Sequence, residues 1–191
     1  ILKRLLRSAI CLIAEDYWNG WLYTSERASA WLEGPIRFGG IECPEEIKRS
    51  PHRELRSLAW SPEPFAWSFG AWLDDELVAV AWFQSGETYR RKGGLFKLAP
   101  DEAELVQITT AAVHRGQGLA TKLITYATWQ MHERGVKKLY AKIWHDNISS
   151  VRAFERAGWV RQNRFFSLRL RIRRKPLILR FRPLIRRSAC A

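Results

Sequence analysis

At 191 residues, 47% of them hydrophobic and 27% charged, the chain is long enough for one domain with a proper core and too short for two comfortable ones. That composition excludes a disordered protein, and no apolar run approaches the length of a membrane span. The formal net charge of +13 is uneven: Trp159 to Ala191 holds 11 of the 32 basic residues and none of the 19 acids, so the excess belongs to the C-terminal end and not to the fold as a whole.

Residues 1–14 place Leu2, Leu5, Leu6, Ala9 and Ile13 at helical spacing among Lys3, Arg4 and Arg7. This suits a terminal helix or first strand packed on the core, or a basic amphipathic helix lying on a membrane. Residues 15–64 mix Tyr17, Trp18, Trp21, Tyr23, Trp31 and Phe38 with turn residues such as Gly34-Pro35 and Gly39-Gly40. Within them Cys43-Pro44-Glu45-Glu46-Ile47 could open a helix, because proline at the first position sacrifices no hydrogen bond and early acids suit the dipole.

Phe65, Trp67 and Phe69 then alternate with small residues, Asp74-Asp75 supplies a turn, and Leu77 to Phe83 is apolar, which reads as an antiparallel hairpin. Residues 84–100 read as a polar loop with a short strand near Leu95 to Leu98. Leu105 to Val113 reads as a strand, and Gly118 to Arg134 as a helix with Leu119, Leu123, Ala127 and Met131 on one face, stopped at Gly135. Leu139 to Trp144 is the next strand and a short helix follows Asn147. After Trp159 come a turn near Gln162-Asn163 and a strand in which Leu168, Leu170 and Ile172 alternate with Arg169, Arg171 and Arg173. The expected organisation is one domain over residues 1–173 and a basic amphipathic tail over 174–191.

The stretch between strand and helix, Arg115-Gly116-Gln117-Gly118-Leu119-Ala120, is the most informative. A helix N-terminus presents backbone N–H groups without intrahelical partners and positive dipole charge, and the two glycines let a phosphate approach the backbone closely. The spacing fits neither a dinucleotide-fold glycine motif nor a Walker loop. With Arg115, Gly118 and Ala120 at the specified positions, it resembles the signature of the GNAT superfamily of CoA-dependent N-acyltransferases. The run from Asn147 through the short helix to Gly158-Trp159 resembles that family's second motif, and the two together span about residues 104–160.

The resemblance implies an α+β GNAT fold: a mostly antiparallel sheet of six or seven strands whose two parallel central strands splay apart, flanked by about four helices. It also implies acetyl-CoA as co-substrate, with Ile108, Thr109 and Thr110 along the pantetheine arm. The pyrophosphate would meet Arg115, Gly116, Gln117, Gly118, Leu119, Ala120 and Lys122, and Asn147 and Ser150 would reach the arm from the other side. The implied reaction is direct attack of a neutral amine on the thioester, with an N–H near Ile108 steadying the oxyanion.

An amine must lose a proton before or as it attacks, so a base is needed. Glu104, read as an exposed group at a strand end beside Asp101 and Glu102, is the first candidate and His145 the alternative. Where many family members carry a tyrosine acid stands Phe154, which has no proton to give. That role falls to Tyr140, Tyr126, Ser150 or water, or else catalysis depends mainly on positioning.

Seven of the ten tryptophans, Trp18, Trp21, Trp31, Trp60, Trp67, Trp72 and Trp82, lie in the first half, where the acceptor wall should be. Flat rings stack on sugars and cations, which favours a small amine or amino sugar over a protein amine. The three scattered cysteines suggest neither disulfides nor a zinc site, and no metal is expected. The expected location is a reducing cytoplasm. The basic tail suits a solvated strand edge or peripheral contact with an anionic membrane; its sparse aromatic interleaving speaks against nucleic acid. A monomer or homodimer is expected. Other function classes compatible with the pattern are a CoA-binding GNAT-fold regulatory or interaction module without catalysis, and a membrane-surface or nucleic-acid binder acting through the tail.

Overall fold

The structure, a computed structural model, describes residues 14–26, 36–60, 64–91, 94, 96–170 and 177–181. The helix or strand expected within residues 1–13 and the arginine alternation from 171 to 173 lie outside the described residues. Strand β1 (Ala14–Ser25) is followed by β2 (Arg37–Gly40), the short helices α1 (Pro44–Arg49) and α2 (Arg53–Arg56), and the hairpin β3 (Ala66–Leu73) and β4 (Glu76–Gln84). Then come α3 (Gly86–Arg91), β5 (Glu102–Thr110), a 3-10 turn at Ala112–His114, α4 (Leu119–Glu133), β6 (Lys138–Trp144), α5 (Ile148–Arg156), β7 (Val160–Leu170) and β8 (Leu177–Phe181).

One sheet takes all eight strands in the order β2-β3-β4-β5-β6-β1-β7-β8. Only β5 and β6 run parallel; the other neighbours are antiparallel. The α+β architecture is the expected one, with eight strands instead of six or seven and five α-helices among the described residues instead of about four. The extra strand is β8, five residues of the segment read as tail, which pair with β7. β1 closes the gap between β6 and β7, so a segment far off in sequence completes the middle of the sheet.

The hairpin turn is made by Asp74 and Asp75, both at positive φ of 47° and 64°, the pattern of a two-residue turn whose twist matches its strands. β4 is buried along both faces. Ala79, Ala81 and Phe83 share one core cluster with Leu119, Leu123, Ala127 and Met131 of α4, while Val80 and Trp82 share the other with Ile47 of α1 and Leu55 of α2. The predicted helical face of α4 is therefore the buried one, and Gly118, at φ 76°, is its N-cap.

Two local readings change. Phe96–Leu98 is not a strand: Phe96 lies against Phe165 and its N–H reaches the Tyr89 hydroxyl at 3.4 Å, while the loop before it contains α3. Gln162-Asn163 is not a turn either. β7 runs straight through, and the polar pair forms a bulge against Leu22 and Tyr23, with Gln162 Nε2 donating to Thr24 Oγ1 at 2.9 Å.

Candidate active site

The parallel pairing of β5 and β6 begins at Glu102 with Lys138 and ends at Leu105 with Ala141. At the same point β5 carries a bulge against β4, where Phe83 pairs with Leu105 but Trp82 pairs with Gln107. The unpaired Val106 bends the strand and inverts its faces: Ala103 and Leu105 join the core under α4, Val106 packs on the opposite cluster, and Ile108 returns to the first. The two strands part beyond the bulge, leaving the β6-facing backbone of residues 106–110 without strand partners.

Two cavities open at this wedge. The first, of about 500 Å³, is lined by Trp18, Trp60, Tyr89, Glu104, Lys142 and Trp144, among others. The second, of about 490 Å³, is lined by Ile108, Thr109, Thr110, Arg115, Gly116, Gly118, Leu119 and Ala120 together with Asn147 and Ser150. Ile108, Asn147, Ser150 and Phe154 line both, so the cavities adjoin at these four residues.

In the second cavity, Gly116 and Gly118 have positive φ of 80° and 76°, and a Cβ built on either would meet nothing within 4 Å. The chain thus presents bare backbone to open space at the front of a 15-residue helix, which fits an anionic phosphate group. The first intrahelical bond, Lys122 N–H to Gly118 O at 3.1 Å, leaves the N–H groups before it for a ligand. Arg115 Nε donates to Thr110 O at 3.1 Å, which ties the loop back to β5. Arg152 and Arg156, one helical turn apart on α5, add cationic lining that sequence reasoning did not select. Gln117 and Lys122 are exposed and line neither cavity. Asn147 caps α5, its Oδ1 accepting from Ser150 N–H at 3.2 Å and from Ser149 Oγ at 3.0 Å.

Glu104 is fully buried, not an exposed strand end, because β4 and β6 flank it in the sheet while α3 and the loop after it cover it. Tyr89 donates its hydroxyl to Glu104 Oε2, and the Lys142 ammonium lies 3.0 Å from Oε1 as a charge contact outside hydrogen-bond geometry. Burial pushes the Glu104 carboxyl above the ordinary glutamate range, opposed by the Lys142 charge and the Tyr89 hydrogen bond. Neither Tyr89 nor Lys142 was selected from sequence. Lys142 follows Tyr140 on the same face of β6, a signal that could have found it; Tyr89 sits in a segment that reads as loop.

The other candidates lie elsewhere. Tyr140 donates to Glu102 Oε1 at 2.8 Å, burial and that carboxylate hold its phenol well above the ordinary range, and it lines neither cavity. His145 is exposed, its Nδ1 3.2 Å from Asn19 O, and it too lines neither cavity. Tyr126 is core, against Phe38, Phe69 and Trp129. Phe154 is buried at the junction of the cavities, edge-on to Trp159. Away from the wedge, His52, Glu76 and His114 bring one potential metal-ligating atom each to within 4.8 Å of the others, a grouping the sequence did not suggest.

Residues 37–159 match the family described as acetyltransferase (GNAT) family. The mycothiol acetyltransferase of Corynebacterium aurimucosum is 26% identical over 145 residues, covering 68% of this chain and 47% of the relative, so the chain spans about half that relative's length. Among solved structures, a GNAT-family protein from Novosphingobium aromaticivorans aligns at 20% identity and TM-score 0.59, covering 81% of this chain and 65% of its own. A GNAT-family acetyltransferase from Colwellia psychrerythraea aligns at 18% identity and TM-score 0.54, covering 87% and 62%.

Proposed function

The chain belongs to the acetyltransferase (GNAT) family, and from that premise we propose that it transfers an acetyl group from acetyl-CoA to the primary amine of a small acceptor, an amino sugar being preferred to a protein amine. One observation carries the reading: a glycine-lined phosphate cradle and a chamber holding a buried carboxylate adjoin at Ile108, Asn147, Ser150 and Phe154. A thioester at that junction is reached from one side by its carrier and from the other by its acceptor.

In this reading the backbone around Gly116 to Ala120, with Arg115, Arg152 and Arg156, binds the diphosphate, and the open edge of residues 106–110 pairs with the amides of the pantetheine arm. Acetyl-CoA supplies the activated acyl group. Glu104 takes the amine proton directly or through a water, the nitrogen bonds to the thioester carbon, and the carbon–sulfur bond breaks. Tyr89 and Lys142 hold the carboxylate in place. Phe154 has no proton to give, so the departing thiolate takes its proton from water, directly or relayed through the Ser150 hydroxyl. Glu104 is preferred to His145 and Tyr140 because it alone of the three lines a cavity. Trp18, Trp60 and Trp144 supply flat walls for the acceptor, and the Corynebacterium relative is named for mycothiol and not for a protein acceptor.

Phe154 also favours a second reading, a CoA-binding module without catalysis. Incubation with acetyl-CoA, a panel of amines and a thiol reagent separates the two. Acceptor-dependent thiol release supports the enzyme; CoA binding without any such release supports the module.

A further inference from the structure

We propose that His52, Glu76 and His114 form a binding site for a divalent transition cation of the Zn2+ type. The three residues come from separate segments: His52 from the residue before α2, Glu76 from the first position of β4, and His114 from the 3-10 turn that leads into the phosphate loop. His52 Nε2 lies 2.6 Å and His114 Nε2 3.8 Å from the same oxygen, Glu76 Oε1. The imidazoles meet edge to face at 5.6 Å, so both rings present a nitrogen to one carboxylate from different directions.

Two imidazoles and a carboxylate are a donor set that suits Zn2+, at bond lengths of about 2.0–2.2 Å with a further position left to water. Ligands at that distance in a tetrahedral shell stand roughly 3.4 Å apart. All three atoms already lie within 4.8 Å of one another, so side-chain rotation suffices to close the shell. His52 and His114 are half-buried and Glu76 is exposed, which leaves an entry path from solvent.

The backbone under these side chains is fixed by bonds that do not involve them. Ser50 Oγ donates to Leu77 O at 3.3 Å, tying the loop before His52 to the strand that starts with Glu76. Ala112 N–H donates to Glu54 Oε1 at 2.6 Å, tying α2 to the turn that bears His114, and Ala111 N–H donates to Val78 O at 2.8 Å, tying that turn to β4. Each pair of ligand-bearing segments is thus cross-linked, the condition for a site organised before its ion arrives. His114 directly precedes Arg115 and lines the phosphate cavity, so a bound ion fastens the start of the loop to the hairpin and to α2.

The test is calorimetric titration of ZnCl2 into the chelator-treated, untagged 191-residue chain in which Cys11, Cys43 and Cys190 are serine, with Co2+ as a spectroscopic probe. The expected result is saturable uptake of about one ion per chain and the visible absorption of four-coordinate Co2+. Zn2+ affinity falls at least tenfold in His52→Ala and in Glu76→Gln. Absence of saturable uptake by folded parent chain overturns the proposal, and so does undiminished uptake by the His52→Ala/His114→Ala double variant. The Co2+ spectrum of the parent chain decides the matter even if a variant fails to fold.

Discussion

Glu104 brings three opposed influences to one carboxyl: removal from water, a lysine ammonium at 3.0 Å and a tyrosine hydroxyl. Removal from water is the largest, and the folded pKa lies above the ordinary value of 4.5. As the proposed base, Glu104 works only when deprotonated, so activity should be absent below the raised pKa and appear as pH climbs through it. A pH profile of kcat/KM should therefore show an acid limb whose inflection lies above 4.5. Glu104→Gln should remove that limb and lower kcat by about 10²–10⁴-fold, with CoA affinity changed by less than about twofold. An unaltered profile in the variant would assign the proton to another group. The chain carried the carboxylate in plain view, beside Asp101 and Glu102, and those neighbours made it look solvated. Its burial comes from Gln84, Tyr89 and Lys142, residues 20, 15 and 38 positions away, and no local pattern announces them.

Among the elements, β5 decides the site. Its bulge at Val106 coincides with the end of pairing to β6, so the kink that turns Ile108 toward the core also opens the wedge. The trace in sequence is slight: Leu105 and Val106 are adjacent apolar residues where strict alternation would place only one. Two glycines in separate elements distinguish backbone from packing effects. At Gly118 a Cβ meets no atom within 4 Å but φ is 76°, whereas at Gly20 in β1 it would lie 2.1 Å from Ile143 O and 2.5 Å from the Trp18 ring. Gly118→Ala should destabilise by about 1–2 kcal/mol and weaken CoA binding by tenfold or so, the worth of one bond to a charged phosphate. Gly20→Ala should lose about 1–3 kcal/mol by overpacking, visible as a lower urea midpoint. An unchanged urea midpoint in Gly20→Ala would contradict the close approach of β1 to β6.

For the whole molecule, the basic excess and the site are separate matters. The arginines that line the second cavity, Arg115, Arg152 and Arg156, belong to the nearly balanced part of the chain before Trp159, while the surplus charge follows it. No helix among the described residues is long and apolar enough to cross a membrane. If the two cavities act as one site, CoA at a hundredfold excess over its Kd should stabilise the fold by about 2.7 kcal/mol. For a domain of this size that raises Tm by roughly 5–10 °C. Absence of a shift at saturating CoA would mean that the cradle does not hold the diphosphate.

The amino-acid sequence by itself determined the glycine loop, the helix behind it, the hairpin and the family, because each shows in short local runs of residues. Glycines at positive φ, a 3.6-residue apolar repeat and an Asp-Asp turn are local necessities. Tertiary structure alone decided that β1 enters between β6 and β7, that Leu177–Phe181 joins the sheet, that Tyr89 and Lys142 enclose Glu104, and that two histidines share Glu76. Apart from the β7–β8 pairing, across 9 to 17 residues, and Tyr89 with Glu104, at 15, those contacts join positions tens of residues apart, and their energies arise from the surfaces and charges that meet when the chain closes.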